Sequence, residues 1–102
     1  MDAPRRIIID TDPGQDDAVA ILLALASPDE LDLLGITCVA GNVPLALTSR
    51  NARMVCELAG RPDIAVFAGC DRPMGRALVT AEHVHGKTGL DGPTLPDPHM
   101  PL

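Results

Sequence analysis

Residues 7–25 read IIIDTDPGQDDAVAILLAL, a run of three isoleucines that passes through a cluster of acids into a second apolar segment. The isoleucines are typical of a short strand that is buried on both faces, as in a parallel sheet. Between residues 16 and 26, apolar side chains recur at i, i+3, i+4 and i+7, which predicts a helix with one buried face. These side chains are Ala18, Ile21, Leu22 and Leu25. The acidic segment therefore joins a strand directly to a helix.

The first residues of this helix carry capping signals. Asp12 is predicted to be the N-cap, Pro13 suits the first helical position, and Gln15 at the third position completes a variant capping box. Residues 27–30, Ser-Pro-Asp-Glu, place a proline at the end of the helix.

Two further strands and one more helix follow. The second strand is predicted around residues 34–39, and the second helix is predicted to open at Pro44 and to end near residue 59 with Gly60 as its C-cap. Its predicted inner face consists of Leu47, Met54, Val55 and Leu58. A third strand is predicted at residues 63–69. The order β-α-β-α-β, with long connections, predicts an open parallel α/β sheet of the Rossmann-like kind.

The last third of the chain has a different character. Residues 1–69 form the predicted β-α-β-α-β core, and residues 70–102 are predicted to be a loop followed by an extended tail, because glycine and proline replace periodic apolar segments there. Three strands and two helices with bare sheet edges bury little surface for their size.

The composition excludes several functional classes. The chain has 102 residues, 46% of them apolar, which indicates one small domain or a piece of a larger one and argues against disorder. With a net charge of −6 and only eight Lys and Arg, it offers no surface for nucleic acid. No apolar run approaches the ~18 residues of a membrane span, and no signal peptide is complete. Cys38, Cys56 and Cys70 are interpreted as small core thiols, and a cytoplasmic location is predicted.

Four carboxylates lie within eight residues, namely Asp10, Asp12, Asp16 and Asp17. Two carboxylates ~5 Å apart repel by roughly 3 kcal/mol at an effective dielectric constant near 20. A helix N-terminus compensates only about 0.3–1 kcal/mol for each. Taken singly, Asp12 is explained as an N-cap, and Asp16 and Asp17 by their place in the first helical turn. As a group they predict a hard cation such as Ca²⁺ or Mg²⁺, held by oxygen ligands at the carboxyl ends of parallel strands.

Three stretches resemble one family, the inosine-uridine preferring nucleoside hydrolases. They are DTDPGQDDAVAILLAL from residue 10, GITCVAGNVPLALTSRNARMVCELAGRPDIAVFAG from residue 35 and HVHGKTGLDGP from residue 83. The resemblance implies that the chain is the amino-terminal start of the nucleoside hydrolase fold. It also implies Ca²⁺-assisted hydrolysis of the N-glycosidic bond of ribonucleosides to base and ribose, as in nucleoside catabolism and salvage. The last stretch is similar to the family's substrate-side loop.

The resemblance assigns roles to the acidic residues. Asp12 is similar to the residue that binds Ca²⁺ and acts as general base on the attacking water, and Asp17 resembles a second calcium ligand. Asp16 is similar to a carboxylate that binds ribose hydroxyls. Asp10 begins the motif and is expected to support its neighbours.

Asn42 and His85 complete the expected substrate contacts. Asn42 resembles a further ribose ligand, although it also suits the cap of the helix that opens at Pro44. His85 resembles a loop histidine near the nucleobase, but it and His83 also suit a solvent-exposed loop. His99 receives no role.

The resemblance reaches only about the first third of a family member, so the chain is expected to be an incomplete fragment that lacks further calcium ligands and the base-contacting residues. An alternative is an inactive Ca²⁺-binding or oligomerising module that forms a homo-oligomer or meets a complementary chain across its open sheet edge. A second alternative is a haloacid-dehalogenase-like phosphatase with Mg²⁺, in which the first Asp of D-x-D is the nucleophile. Pro13, Gly14 and the Asp pair that follows argue against it, since that motif does not require them.

Overall fold

The computed structural model describes residues 3–72, 74, 75, 78, 80, 89 and 97–102. The elements in chain order are β1 (Arg5–Thr11), α1 (Gln15–Leu25), β2 (Leu31–Cys38), α2 (Leu45–Leu58) and β3 (Val66–Ala68). The strands are parallel and lie in the order β1-β2-β3. The predicted open parallel α/β sheet is therefore confirmed. No helix in the described part of the chain is long and apolar enough to cross a membrane.

The strand lengths differ from the predicted ones. β1 runs beyond the isoleucines at both ends, because each residue from Arg5 to Thr11 has a register partner on β2. β3 is shorter than predicted and has three residues, which pair with Ile36, Thr37 and Cys38 of β2. The part of the sheet that β1, β2 and β3 share is thus its carboxyl-terminal end.

Both helices pack on the same face of the sheet. Their buried side chains form one cluster with Ile36 and Val66 of the strands. On the opposite face, Ile8, Leu34 and Phe67 are 63%, 52% and 56% exposed. The prediction of a first strand buried on both faces is wrong, because two right-handed crossovers that advance in one direction place both helices on one side. The described residues supply no layer for the other side.

Helix α1 begins later than the capping signals indicate. Its N-cap is Gly14, which makes no side-chain cap hydrogen bond, and the carbonyl oxygen of Gly14 accepts the N–H of Ala18 at 3.0 Å. The prediction of Asp12 as N-cap is wrong, and Gln15 is the first helical residue instead of the third. The Pro13-Gly14 turn separates Asp12 from the helix, which leaves its carboxylate for another partner.

Helix α2 ends at the predicted glycine. Gly60 has a φ of +73°, its N–H donates to the carbonyl of Glu57 at 3.0 Å, and the N–H of Arg61 donates to the carbonyl of Cys56 at 2.8 Å. These two bonds form a Schellman motif, in which a residue without a β-carbon adopts the left-handed conformation at low cost.

The inner face of α2 is only partly the predicted one. Met54 and Val55 are buried as expected, but Leu58 is 58% exposed. Leu58 lies in the last turn of the helix, where no described element covers it. Thr48 and Asn51 are fully buried in its place. A polar strip on the buried side of this helix is therefore a feature that apolar periodicity does not reveal.

The end of the chain packs against α2. Met100 is 7% exposed and belongs to the core cluster. The N–H groups of His99 and Met100 donate to Oε2 of Glu57 at 2.7 and 3.3 Å. Arg50 forms an ion pair with Asp97. The predicted tail thus contributes a side chain to the core.

Two of the three cysteines are core thiols. Cys38 and Cys56 are buried, and burial raises the pKa of each to about 11. Cys70 is exposed, so its interpretation as a core residue is wrong. It follows β3 on a segment that the helices do not cover.

Candidate active site

The carboxyl ends of β1 and β2 lie side by side. Thr11 and Cys38, the last residues of the two strands, are paired. The N–H of Val39 donates to the carbonyl of Thr11 at 3.0 Å, which extends the pairing past the strand ends. The segments that leave the two strands, with Asp12 on one and Asn42 on the other, therefore start from adjacent points.

Asn42 binds Asp12 twice. The backbone N–H of Asn42 donates to Oδ2 of Asp12 at 2.9 Å, and the side-chain Nδ2 of Asn42 donates to the backbone carbonyl of Asp12 at 2.8 Å. The partner of the Asp12 carboxylate is thus 30 residues away in the chain. This clamp holds both the main chain and the side chain of Asp12.

Thr11 holds the second carboxylate. Its Oγ1 donates to Oδ2 of Asp17 at 2.8 Å, and Thr11 is 7% exposed. Sequence reasoning missed this residue. The signal was available in the alternation of β1, which sends the side chain of Thr11 to the face opposite that of Asp10 and toward the helices.

The two carboxylates influence each other. Burial raises the pKa of Asp12 above its usual value, the Asn42 N–H opposes this rise, and a hydrogen bond and charge repulsion from Asp17 add to it. The carboxylates of Asp12 and Asp17 therefore lie within interaction distance of each other. The Pro13-Gly14 turn and the start of α1 separate the two residues in the chain. The predicted convergence of acidic residues holds for this pair.

Asp10 and Asp16 stand apart from the pair. Asp10 is exposed and accepts a hydrogen bond from Oγ1 of Thr37, its partner on β2, at 2.8 Å. It lies on the sheet face opposite the Thr11 side chain. Asp16 is exposed in the first turn of α1. A carboxylate there is available to solvent and benefits from the helix N-terminus.

Asp12 and Asp17 fit part of a hard-cation site. Both offer oxygen ligands, and their mutual repulsion is the kind that a bound divalent cation relieves. Ca²⁺ takes about six to eight oxygens. In the part of the chain that the structure describes, no group of three or more His, Cys, Asp or Glu side chains is arranged to hold a metal ion. The pair supplies a beginning of such a site.

The predicted histidine contact, His85, lies outside the described residues, as does the neighbouring His83. The nearest described residue of their loop is Gly89, which is buried and has a φ of +86°. It lies against the Pro13-Gly14 turn, since a β-carbon on residue 89 would fall 3.3 Å from the carbonyl oxygen of Pro13.

The chain is similar to curated proteins of one family. The family model described as inosine-uridine preferring nucleoside hydrolase matches residues 7–102. An uncharacterised protein of Schizosaccharomyces pombe is 61% identical over 93 residues, which is 91% of this chain and 30% of that protein. The inosine-uridine preferring nucleoside hydrolase of Crithidia fasciculata is 52% identical over 85% of this chain and 27% of its own length. A pyrimidine-specific ribonucleoside hydrolase of Photobacterium profundum is 53% identical over 92% of this chain and 30% of its own.

The chain is also similar to solved structures of nucleoside hydrolases. A purine-preferring ribonucleoside hydrolase from Gardnerella vaginalis superposes with a TM-score of 0.85 at 33% identity, over 93% of this chain and 31% of that one. A plant nucleoside hydrolase superposes with a TM-score of 0.80 at 43% identity, over 94% of this chain and 32% of that one. The chain thus spans about a third of the length of the proteins it matches.

Proposed function

This chain belongs to the inosine-uridine preferring nucleoside hydrolase family, and we propose that it carries the carboxylate portion of an active site that hydrolyses the N-glycosidic bond of ribonucleosides to free base and ribose. The observation that carries the proposal is the pairing of Asp12 with Asp17 at the carboxyl end of the sheet, with Asn42 and Thr11 holding one each. Relatives of this region are named for purine, pyrimidine and mixed preferences, so the proposed substrate class is ribonucleosides in general.

Asp12 is the proposed general base. A carboxylate within hydrogen-bonding reach of a water can take its proton as the water attacks the anomeric carbon. Burial and the charge of Asp17 raise the pKa of Asp12, which suits its carboxylate to receive that proton. The clamp by Asn42 keeps the accepting oxygen in one orientation. An acidic site also stabilises the oxocarbenium-like transition state of glycoside hydrolysis.

Ca²⁺ is the proposed cofactor, with Asp12 and Asp17 as two of its ligands. When bound, the ion would lower the pKa of a coordinated water and offset the repulsion between the two carboxylates. The hydroxyl of Thr11 would occupy one lone pair of Asp17 Oδ2 and so orient the carboxylate. Further ligands would come from another part of the protein or from another chain.

Asp16, Asn42 and His85 are the proposed substrate contacts. The exposure of Asp16 in the first turn of α1 agrees with a ribose-binding carboxylate. One N–H of the Asn42 side-chain amide already donates to the carbonyl of Asp12. A ribose hydroxyl would therefore accept from the second N–H or donate to Oδ1. His85 stays a prediction from the resemblance.

Two alternatives are weighed against this proposal. The first is a Ca²⁺-binding or oligomerising module without activity, which the incomplete ligand set of the described residues favours. A haloacid-dehalogenase-like phosphatase is disfavoured by the family match across residues 7–102. Its nucleophile would be Asp10, whose side chain is bound to Thr37 on the other face of the sheet.

A calcium titration by calorimetry tests the proposal. The samples are the 102-residue chain, its Asp12→Asn and Asp17→Asn variants, and Asp32→Asn as a matched control, since Asp32 is an exposed carboxylate at the other end of β2. We expect binding that both site variants lose and the control keeps. Equal binding by all four samples would contradict the assignment of the ligands.

A hydrolysis assay on the same samples separates the enzyme from the inactive module. Release of base from inosine and uridine is measured for the chain alone and after mixing with a polypeptide that covers the remaining two thirds of a relative. Turnover that appears on mixing and is absent with Asp12→Asn supports a split active site. Calcium binding without turnover, both for the chain alone and after mixing, would favour the inactive Ca²⁺-binding module.

A further inference from the structure

Asn51 is a buried polar residue that the proposed function does not use. It lies on α2, is fully buried, and its Nδ2 donates to the carbonyl oxygen of Pro13 at 3.1 Å. An amide inside an apolar cluster is unfavourable unless it is hydrogen-bonded. A leucine of similar size would fill the same position without that requirement. The amide is therefore matched to the backbone of the turn that it contacts.

The Pro13 carbonyl is the centre of that turn. It belongs to the peptide that joins Pro13 to Gly14, and both residues are buried. Asp12 precedes this peptide, and the first turn of α1 with Asp17 follows it. A rotation of the peptide would change the direction in which the two carboxylates leave the turn. A side chain that binds this one carbonyl is therefore placed to influence the spacing of the pair, together with the bonds from Asn42 to Asp12.

A third segment reaches the same point. A β-carbon on Gly89 would lie 2.9 Å from Nδ2 of Asn51, 3.2 Å from Cγ2 of Val43 and 3.3 Å from the Pro13 carbonyl oxygen. The backbone of Gly89, which the family resemblance assigns to the substrate-side loop, therefore packs directly on the Asn51 amide. Its φ of +86° is one that side-chain-bearing residues rarely adopt.

We propose that Asn51 is a positioning residue that joins the carboxylate turn to the substrate-side loop. From the middle of α2, its amide holds the Pro13 carbonyl and provides the surface on which Gly89 rests. The consequence for calcium affinity rests on the proposed function, whereas the positioning itself does not. A residue that only fills space in the core would stabilise the fold without setting the conformation of the turn.

Nuclear magnetic resonance on the cation-free chain tests the positioning. The amide of Gly14 shares its peptide with the Pro13 carbonyl, so its chemical shift reports the hydrogen bond from Asn51. In Asn51→Leu and Asn51→Asp we expect the Gly14 and Gly89 amide resonances to move. Thr48→Val is the matched control, because Thr48 is equally buried on α2 but its hydroxyl donates to the carbonyl of Leu45 in its own helix. It should leave both resonances in place.

Gly89→Ala approaches the same contact from the other side. It should shift the Gly14 amide resonance, although residue 89 is remote from Gly14 in the chain. This variant tests the same contact if the Asn51 variants do not fold. Unmoved Gly14 and Gly89 resonances in a folded Asn51 variant, or equal movement in Thr48→Val, would overturn the proposal.

Calcium titration of the same variants measures the consequence. We expect roughly 10-fold weaker binding in Asn51→Leu, the scale seen when a group that orients a metal ligand is removed, and unchanged binding in Thr48→Val. Unchanged affinity in a folded Asn51→Leu would refute the link to the carboxylates. If the unmodified chain binds no calcium, the cofactor assignment fails, and the Gly14 resonance still decides whether Asn51 sets the turn.

Discussion

Gly41 and Asp12 lie so close together that a β-carbon on residue 41 would fall 2.1 Å from Oδ2 of Asp12. The same atom would fall 2.8 Å from Cγ of that carboxylate. Real β-carbons do not approach other atoms to that distance. The absence of a side chain at residue 41 is therefore what permits Asp12 to reach the N–H of Asn42.

Gly41→Ala is expected to move the Asp12 carboxylate away from Asn42. Relief of the overlap should cost about 1–3 kcal/mol of stability and weaken calcium binding. Urea denaturation and calorimetric titration measure the two effects. Gly75→Ala is the control, because a β-carbon there meets nothing within 4 Å. Identical behaviour of the two variants would contradict the close approach.

Thr11→Val is expected to weaken calcium binding, because Asp17 loses the hydroxyl that orients it. Loss of a hydrogen bond to a charged group should also cost about 1.5–3 kcal/mol. Thr11→Ser should keep most of the calcium affinity and most of the stability, since serine retains the hydroxyl. Thr37→Val is the comparison, because its hydroxyl binds Asp10 in an exposed position. A calcium affinity that falls as much in Thr37→Val as in Thr11→Val would rule out a specific role for Thr11.

Asp12→Asn is expected to raise the Tm of the cation-free chain at neutral pH. The pKa of Asp12 is raised in the folded chain, mainly by burial. The stabilisation from its protonated form is thus complete below the ordinary value of 3.8 and lost as the pH rises through the folded pKa. The Tm of Asp12→Asn should therefore exceed that of the unmodified chain at about pH 7 and equal it at about pH 3. A difference in Tm that does not change with pH would argue against the raised pKa. Saturating calcium should reverse the order at about pH 7, since the variant loses a ligand.

Cys70 is expected to react with iodoacetamide in the native chain before Cys38 and Cys56. The buried thiols have pKa values raised to about 11, so their reactive thiolate is scarce at about pH 8. Mass spectrometry after timed alkylation should show one modified cysteine in the native protein and three after denaturation. Early modification of either buried thiol would show that the core opens readily.

Ile8→Ala and Ile36→Ala compare the two faces of the sheet. Ile36 is fully buried beneath the helices and its truncation should cost about 2–5 kcal/mol. Ile8 is 63% exposed, so its truncation should change stability by no more than about 0.5 kcal/mol. Urea denaturation gives both values. A large loss from Ile8→Ala would mean that the open face is covered in solution.

Most of the fold follows from local patterns. The isoleucine run, the i, i+3, i+4 repeat after Asp16 and the glycine at residue 60 each predict an element or its end, and all three are present. The same patterns placed the acids at the carboxyl end of the sheet. Local signals succeed here because a strand or a helix depends mainly on neighbours within a few residues.

The misses have a common cause in contacts that are distant along the chain. Asp12 was expected to cap α1, but its carboxylate is bound by Asn42, 30 residues later. Leu58 was expected to be buried, whereas the polar Asn51 is buried in its helix. Both outcomes depend on what another segment presents at that point in space.

The sequence by itself therefore determined the order of the elements, the parallel sheet and the position of the acidic turn at its carboxyl end. Only the tertiary structure decided that one face of the sheet is covered, that Thr11 and Asn42 hold the two central carboxylates, and that Asn51 binds the turn. The physical reason is that periodicity states which face of an element is apolar. It does not state which other element meets that face, or which buried polar group finds its partner there.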